Sequence, residues 1–323
     1  MTWLYILIFI GSCIVLVKSG TWVVESLTRV SQTLKWSKFL VSFLLMAFAT
    51  SLPEFFVGLS SAFHKLPQLS FGNIIGANIL NLTLGIAICV LLAGSLRLES
   101  RALRTDSIFA ASLTFLPLLL MLDGGVSRVD GIILLLAFSL YLRKILQQKE
   151  RFSKTFIENF KKDYHQFKLF LKDLATFFGG IFLLLLSAEG VVRSANIFAL
   201  EINLPLITTG IFLVAFGTVL PELVFRIKAV SLGHKEMVLG NLMGALVINS
   251  TFVLGIVSLI SPLKIVDFSP YLVGIFFTAF SALGFVIFSL TDRKISKKEA
   301  IGLIIICVLF FVIQFLISQN LIF

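Results

Sequence analysis

Two glutamates stand in the same short phrase within otherwise apolar stretches: Ala47-Phe48-Ala49-Thr50-Ser51-Leu52-Pro53-Glu54 and, in the second half of the chain, Ala215-Phe216-Gly217-Thr218-Val219-Leu220-Pro221-Glu222. A carboxylate inside a hydrocarbon-length helix is costly, and its repetition beside a proline is hard to explain by packing. The pattern predicts a cation site built from two halves. Pro53 lacks an amide hydrogen and its ring crowds the carbonyl of Ala49, so the helix should kink there; Pro221 should do the same at Gly217. Carbonyls freed in this way persist at membrane depth only where they line a cavity or meet an ion. Thr50 and Glu54 lie one helical turn apart and share a helix face, as do Thr218 and Glu222.

A second phrase follows in each half: Gly72-Asn73-Ile74-Ile75-Gly76-Ala77-Asn78-Ile79-Leu80-Asn81 and Gly240-Asn241-Leu242-Met243-Gly244-Ala245-Leu246-Val247-Ile248-Asn249. Its glycines allow close backbone approach, and Asn81 and Asn249 direct amide oxygens toward the core. Carboxylates, hydroxyls, amide oxygens and carbonyls form a hard-oxygen set that suits Ca²⁺, which takes roughly six to eight oxygens in a flexible arrangement. Without thiolate or imidazole ligands, zinc, copper and iron are disfavoured. Cys13, Cys89 and Cys307 all fall in apolar segments and read as packing residues. The plainer alternatives are neutral buried glutamates, asparagines that only bond between helices, and threonines that cap the kinks.

The elements that must position these groups are membrane helices. Of 323 residues 58% are hydrophobic and 14% charged, and the mean hydropathy is +1.03, outside the range of soluble domains. Apolar stretches at 3–24, 39–63, 71–95, 107–123, 129–146, 174–198, 205–229, 237–260, 269–290 and 300–319 are long enough to cross about 30 Å of hydrocarbon. The expected fold is an all-α integral membrane protein of ten transmembrane helices. The first stretch lacks a basic start and a small-residue cleavage site, and reads as a retained helix.

The net charge of +10 belongs to the connectors and not to a nucleic-acid surface. One alternating set holds Arg29, Lys35 and Lys38; Arg97, Arg101 and Arg104; the cluster from Arg143 to Lys172; Arg226, Lys228 and Lys235; and Arg293, Lys294, Lys297 and Lys298. The other holds Lys65, Arg128, Arg193 and Lys264. Positive charge inside then places both termini outside and the 148–173 connector in the cytoplasm. Sliding the chain along itself until Glu54 falls on Glu222 also matches Ser19 with Ser187, Val24 with Val192, Ser26 with Ser194, Pro53 with Pro221 and Gly72 with Gly240. Five helices separate the copies, an odd number, so the halves 1–147 and 174–323 form an inverted repeat. Between them, Phe152, Phe156, Phe160, Tyr164, Phe167 and Leu171 recur at helical spacing among lysines, as a basic amphipathic helix lying on the inner leaflet would. His64, His165 and His234 read as solvated residues.

The doubled phrases in register, with the ten helices and the inverted repeat, resemble the sodium/calcium exchanger family of cation/calcium antiporters over nearly the whole chain. The resemblance implies that Glu54 and Glu222 are shared Ca²⁺ and Na⁺ ligands, that Thr50 and Thr218 add oxygens, and that the carbonyls of Ala47 and Ala215 face flanking Na⁺ sites. Asn81 and Asn249 match positions beside the central site, and Ser51 keeps the serine that follows the motif threonine. Val219 replaces that serine in the second copy, Ala77 and Ala245 replace serines, Leu246 replaces an asparagine, and Asn249 is often aspartate in relatives. These losses thin the Na⁺ coordination more than the Ca²⁺ coordination.

The resulting expectation is a secondary antiporter that extrudes Ca²⁺ against Na⁺ by alternating access in the plasma membrane, acting as a monomer without a cofactor. Two close carboxylates repel each other and require a cation or protons, which makes the two ions compete. A proton-driven divalent antiporter is the alternative; a passive cation channel and a non-transporting sensor follow. Nothing in the motifs suggests an enzyme.

Overall fold

A computed structural model describes residues 2–33, 46–97, 101–147, 164–291 and 294–319. Those residues are almost entirely helical. In chain order the helices are α1 (Thr2–Thr33), α2 (Met46–Thr50), α3 (Leu52–Phe63), α4 (Pro67–Leu80), α5 (Ile86–Ala93), α6 (Arg101–Leu120), α7 (Arg128–Gln147), α8 (Tyr164–Glu201), α9 (Leu206–Thr209), α10 (Ala215–Ser231), α11 (Lys235–Val247), α12 (Leu254–Ile260), α13 (Ser269–Thr291) and α14 (Lys297–Ser318). Wide π-helical turns at Asn81–Gly85, Gly210–Val214 and Ile248–Val253 join α4 to α5, α9 to α10 and α11 to α12.

Eight of the resulting helices are long and apolar enough to cross a membrane: Leu4–Val30, Pro67–Ala93, Thr105–Asp123, Leu169–Glu201, Leu206–Ser231, Lys235–Ile260, Ser269–Phe288 and Lys297–Ser318. The two remaining predicted spans correspond to α2 with α3, whose upstream residues 34–45 lie outside the described residues, and to α7, which carries Asp130, Arg143 and Lys144. Residues 148–163 of the predicted amphipathic connector also lie outside the described residues, and α8 begins at Tyr164, within its expected end.

Local signals set the helix starts. Pro67 opens α4, where its missing amide hydrogen costs nothing. Ser296 and Glu299 form a capping box on α14, and Ser127 with Asp130 exchanges the same reciprocal bonds at the start of α7. Leu, Phe and Val side chains stand exposed along α1, α8, α13 and α14, among them Leu7, Phe182, Phe276 and Val308. Apolar outer faces of this kind suit a bilayer, whose tails are themselves apolar.

The interior is built on α2, α3, α4, α10 and α11, with α6, α7, α12, α13 and α14 packed around them and α1 running along α8. Close contact between α4 and the α9–α10 segment depends on glycine. A Cβ on Gly72 would lie 2.0 Å from the Ile207 carbonyl oxygen, and one on Gly76 would lie 2.7 Å from the Ala215 Cβ. Helix α1 crosses both motif prolines at Gly20, where a Cβ would approach Pro221 Cγ to 3.1 Å and Pro53 Cγ to 3.5 Å.

Two small antiparallel strand pairs tie the bundle's ends. β1 (Ser95–Arg97) pairs with β4 (Lys294–Ser296), and β2 (Gly125–Val126) pairs with β3 (Leu263–Lys264). Polar tethers follow the same division. Arg29 meets Asp173, Lys228 meets Glu25, and Lys235 reaches the Ala93 and Ser95 carbonyls, near the β1–β4 pair. His64 meets Glu189, and Arg128 reaches the Leu259 carbonyl, near the β2–β3 pair. His64 is therefore not simply solvated: with Ser60 and Arg193 it shares the Glu189 carboxylate.

The two prolines behave differently. At the first, the helix breaks between Thr50 and Leu52, with Ser51 at φ −88° and ψ 2°. At the second, α10 stays helical through Pro221, with no break like the one at Ser51. The irregularity there lies upstream, in the wide turn Gly210–Val214.

Candidate functional site

Ala47, Thr50, Ser51, Glu54, Asn81, Ala215, Thr218, Glu222 and Asn249 are all buried, each at 1% exposure or less. The two motif carboxylates are electrostatic neighbours. Broken helix α2–α3 supplies the first copy and α10 the second, while Asn81 and Asn249 both stand in π-helical turns. Thr83 and Thr251, which the repeat superposes on each other, donate hydroxyl bonds of 2.5 Å and 2.6 Å to the carbonyls of Ile79 and Val247. Back-bonding of this kind bends a helix. It accompanies both wide turns, features that often mark functional sites.

Glu222 is hydrogen-bonded at both oxygens. Its Oε1 accepts from the Ser51 hydroxyl at 3.2 Å, and its Oε2 accepts from Asn81 Nδ2 at 2.5 Å and from Arg226 Nη2 at 3.4 Å. Glu54, by contrast, has no hydrogen bond at either carboxylate oxygen among the described residues, and neither does the Asn249 amide. The Thr218 hydroxyl stands beside Glu54 but gives its proton to Asn73. Unpartnered buried polar atoms call for an explanation, because each forgoes the water it would otherwise bind.

Arg226 corrects the charge tally drawn from the sequence. It does not belong to a connector: it lies one turn beyond Glu222 on α10, buried to 1% exposure, and is the largest fully buried side chain among the described residues. Its Nε donates to Asn241 Oδ1 at 2.8 Å and its Nη1 to Asn81 Oδ1 at 2.8 Å. The signal was present in the sequence as an ionisable residue one turn after Glu222, hence on the same helix face, inside an apolar stretch.

Asn73 and Asn241, the first asparagines of the second phrase, each meet the threonine of the opposite copy, a role that the sequence alone did not reveal. Asn241 Nδ2 donates to Thr50 Oγ1 at 2.9 Å, and Thr218 Oγ1 donates to Asn73 Oδ1 at 2.9 Å. The reversed direction has a local cause, since Arg226 claims the Asn241 oxygen and leaves only the amide nitrogen for Thr50. Thr50 then passes its own proton to the Met46 carbonyl at 2.8 Å. The Ala47 carbonyl accepts from the Ser51 amide at 3.0 Å and the Ala215 carbonyl from the Thr218 hydroxyl at 3.4 Å. Asn78 donates to Ser250 Oγ at 2.8 Å, a bond its counterpart Leu246 is unable to make.

The arrangement is a buried cluster of two carboxylates, amides, hydroxyls and carbonyls, supplied by helices from both sequence copies. Such a cluster can replace a cation's water with fixed oxygens.

Comparison with known proteins points the same way. The model of the family described as sodium/calcium exchanger protein matches residues 4–145 and 172–316. The sodium/calcium exchanger MaX1 of Methanosarcina acetivorans is 24% identical over an alignment of 349 residues that covers 96% of this chain and 98% of that one. The inner membrane protein YrbG of Escherichia coli is 28% identical over 235 residues, covering 69% of this chain and 70% of that one. Among solved structures, the sodium-calcium exchanger NCX_Mj soaked with 100 mM Na⁺ and 10 mM Sr²⁺ superposes with a TM-score of 0.69 at 25% identity, covering 96% of this chain and 98% of that one.

Proposed function

We propose, for a chain that belongs to the sodium/calcium exchanger family and is a multi-pass membrane antiporter of cations, that it extrudes Ca²⁺ in exchange for Na⁺ across the inner membrane, as a monomer. The observation that carries the reading is the buried Glu54–Glu222 pair, with both Glu54 oxygens and the Asn249 amide lacking protein partners among the described residues. Ca²⁺ and the driving ion compete for those oxygens, because two carboxylates buried from solvent demand positive charge and accept only one set at a time. Thr50, Thr218, Ser51 and Asn81, with the carbonyls of Ala47 and Ala215, complete the oxygen set.

The proposed architecture is ten helices in two inverted repeats, with both termini outside. The strand pairs and tethers support it, since every one joins connectors of the same charge set: Arg29, Asp173, Lys228, Lys235, Ser95 and Lys294 at one end, Lys65, Arg128, Glu189 and Lys264 regions at the other. As the family resemblance implies, alternating access has α1 and its partner α8 move against the central helices that hold the site; α1 meets both motif prolines at Gly20.

Ca²⁺ uptake into inside-out vesicles tests the proposal. Uptake driven by an outward-directed Na⁺ gradient from the vesicle lumen supports it. Uptake that follows an imposed pH difference and ignores Na⁺ transfers the assignment to a proton-driven divalent antiporter, a reading favoured by Ala77 and Ala245, which supply no hydroxyl. Voltage-driven Ca²⁺ flux without a counter-ion would replace exchange with a channel.

A further inference from the structure

We propose that Arg226 is a tethered cation that permanently occupies one monovalent subsite of the exchange chamber, so that this chain couples Ca²⁺ to one fewer counter-ion than the same site without the arginine. The inference rests on the exchanger reading and specifies the driving-ion side of it.

The guanidinium sits where an ion would be held. Its three nitrogens take three oxygens: Glu222 Oε2 at 3.4 Å, Asn81 Oδ1 at 2.8 Å and Asn241 Oδ1 at 2.8 Å. Those are a carboxylate and two amides, hard donors that suit a small cation as well as they suit a guanidinium. Arginine keeps its charge under all ordinary conditions, so this positive charge does not leave with the transported ions.

The other copy shows the site without its arginine. In the register that superposes the two motif glutamates, Arg226 falls on Gly58, and the three acceptors fall on Glu54, Asn249 and Asn73. There both Glu54 oxygens, both Asn249 amide atoms and Asn73 Nδ2 are unpartnered among the described residues. The space is arranged to match. A Cβ on Gly85 would come within 3.0 Å of Arg226 Nη1, so glycine makes room for the guanidinium. Its counterpart is Val253, whose Cγ1 would lie 3.1 Å from a Cβ on Gly58 and so fills the corresponding volume. One copy pairs arginine with glycine, and the other pairs glycine with valine.

Charge counting gives the consequence. Two carboxylates and one guanidinium leave the chamber with a single net negative charge, against two without the arginine. The Ca²⁺-free state therefore needs one fewer monovalent ion for neutrality. Glu222 retains Oε1, which takes only the Ser51 hydroxyl, for the transported ion beside Glu54.

The protein supplies its own control, Arg226→Gly combined with Gly85→Val, which installs in the second copy the pair found in the first. In proteoliposomes, the reversal point of Ca²⁺ flux at graded Na⁺ gradients reads the counter-ions moved per Ca²⁺. The double variant is expected to move one more than the wild type. An equal ratio in two folded, transporting proteins overturns the inference and leaves Arg226 as a packing residue. Should the wild type show no Na⁺-dependent Ca²⁺ flux, the exchanger reading fails separately; binding of radiolabelled Na⁺ to the purified proteins then decides, and a double variant that binds no more Na⁺ than the wild type overturns the inference. If the double variant does not fold, Arg226→Lys is expected to keep the wild-type count and Arg226→Gln to raise it by one, with equal counts again overturning it.

Discussion

After Glu54 the helix continues to Gly58, and after Glu222 it continues to Arg226. The surroundings of the two carboxylates share matching parts, a threonine one turn earlier, an asparagine in a π-helical turn and a second asparagine meeting the opposite threonine, but Ser51, which bonds Glu222, has Val219 as its counterpart. Yet Glu222 is hydrogen-bonded at both oxygens while Glu54 lacks a partner among the described residues. A single side chain redirects the bonds of Glu222, Asn81, Asn241 and, through Asn241, Thr50. The difference teaches that sequence-equivalent oxygens are not equally available to an ion, and that availability is decided by which of them the protein has already paired.

The comparison breaks most visibly at Glu222. Glu222→Gln leaves the buried Arg226 without its counter-charge, and is expected to lower unfolding stability by about 3–5 kcal/mol. Thermal melts of the detergent-purified variant check this, and an unchanged melt would mean that Arg226 is balanced elsewhere. Glu54→Gln is expected to do the reverse, holding or raising the melt, because no protein bond is lost and a buried charge that repels Glu222 is removed. It should still weaken Ca²⁺ binding by about 3 kcal/mol, or roughly a hundredfold, measured by equilibrium binding. Similar stability losses in the two variants would erase the distinction between the copies.

Where the copies meet, a smaller effect is expected. Gly72→Ala forces a methyl group into the Ile207 carbonyl, an overpacking that should cost about 1–3 kcal/mol in the same melts. A free accommodation would show that α4 and α9 can separate, which would weaken the case for a rigid central scaffold. The smallest effect tests where the copies are alike. Thr83→Val and Thr251→Val each remove one back-bond and should each cost about 1 kcal/mol. A clear inequality would mean that the asymmetry extends beyond Arg226 and into the wide turns.

Much of this was legible in the sequence because membrane helices are governed by local rules. Apolar length fixes a span, and an ionisable residue inside one is costly enough to mark function. Glu54 and Glu222 stand out on that ground and Asn81 and Asn249 through the repeat, and all four are buried. That the helix is interrupted at Ser51 yet continuous through Pro221 was not legible, since the steric demand of Pro221 is the same as that of Pro53. Asn73 and Asn241 appear in a repeated phrase, but an amide's partner depends on which helix lies opposite.

By itself, the sequence determined the apolar stretches, the doubled phrases and the pool of hard oxygens, because each follows from residue type and spacing along one chain. The destination of Arg226 was left to the tertiary structure. Close to a helix end, a long cationic side chain can snorkel to water or turn inward, and a linear tally treats both as connector charge. Acceptors on other elements decide between them: Asn81 from the turn after α4 and Asn241 from α11, with Gly85 leaving the room. Only their convergence gives a buried guanidinium its full set of acceptors, and it pairs Oε2 of one carboxylate with Arg226 while leaving both oxygens of the other without a protein partner among the described residues.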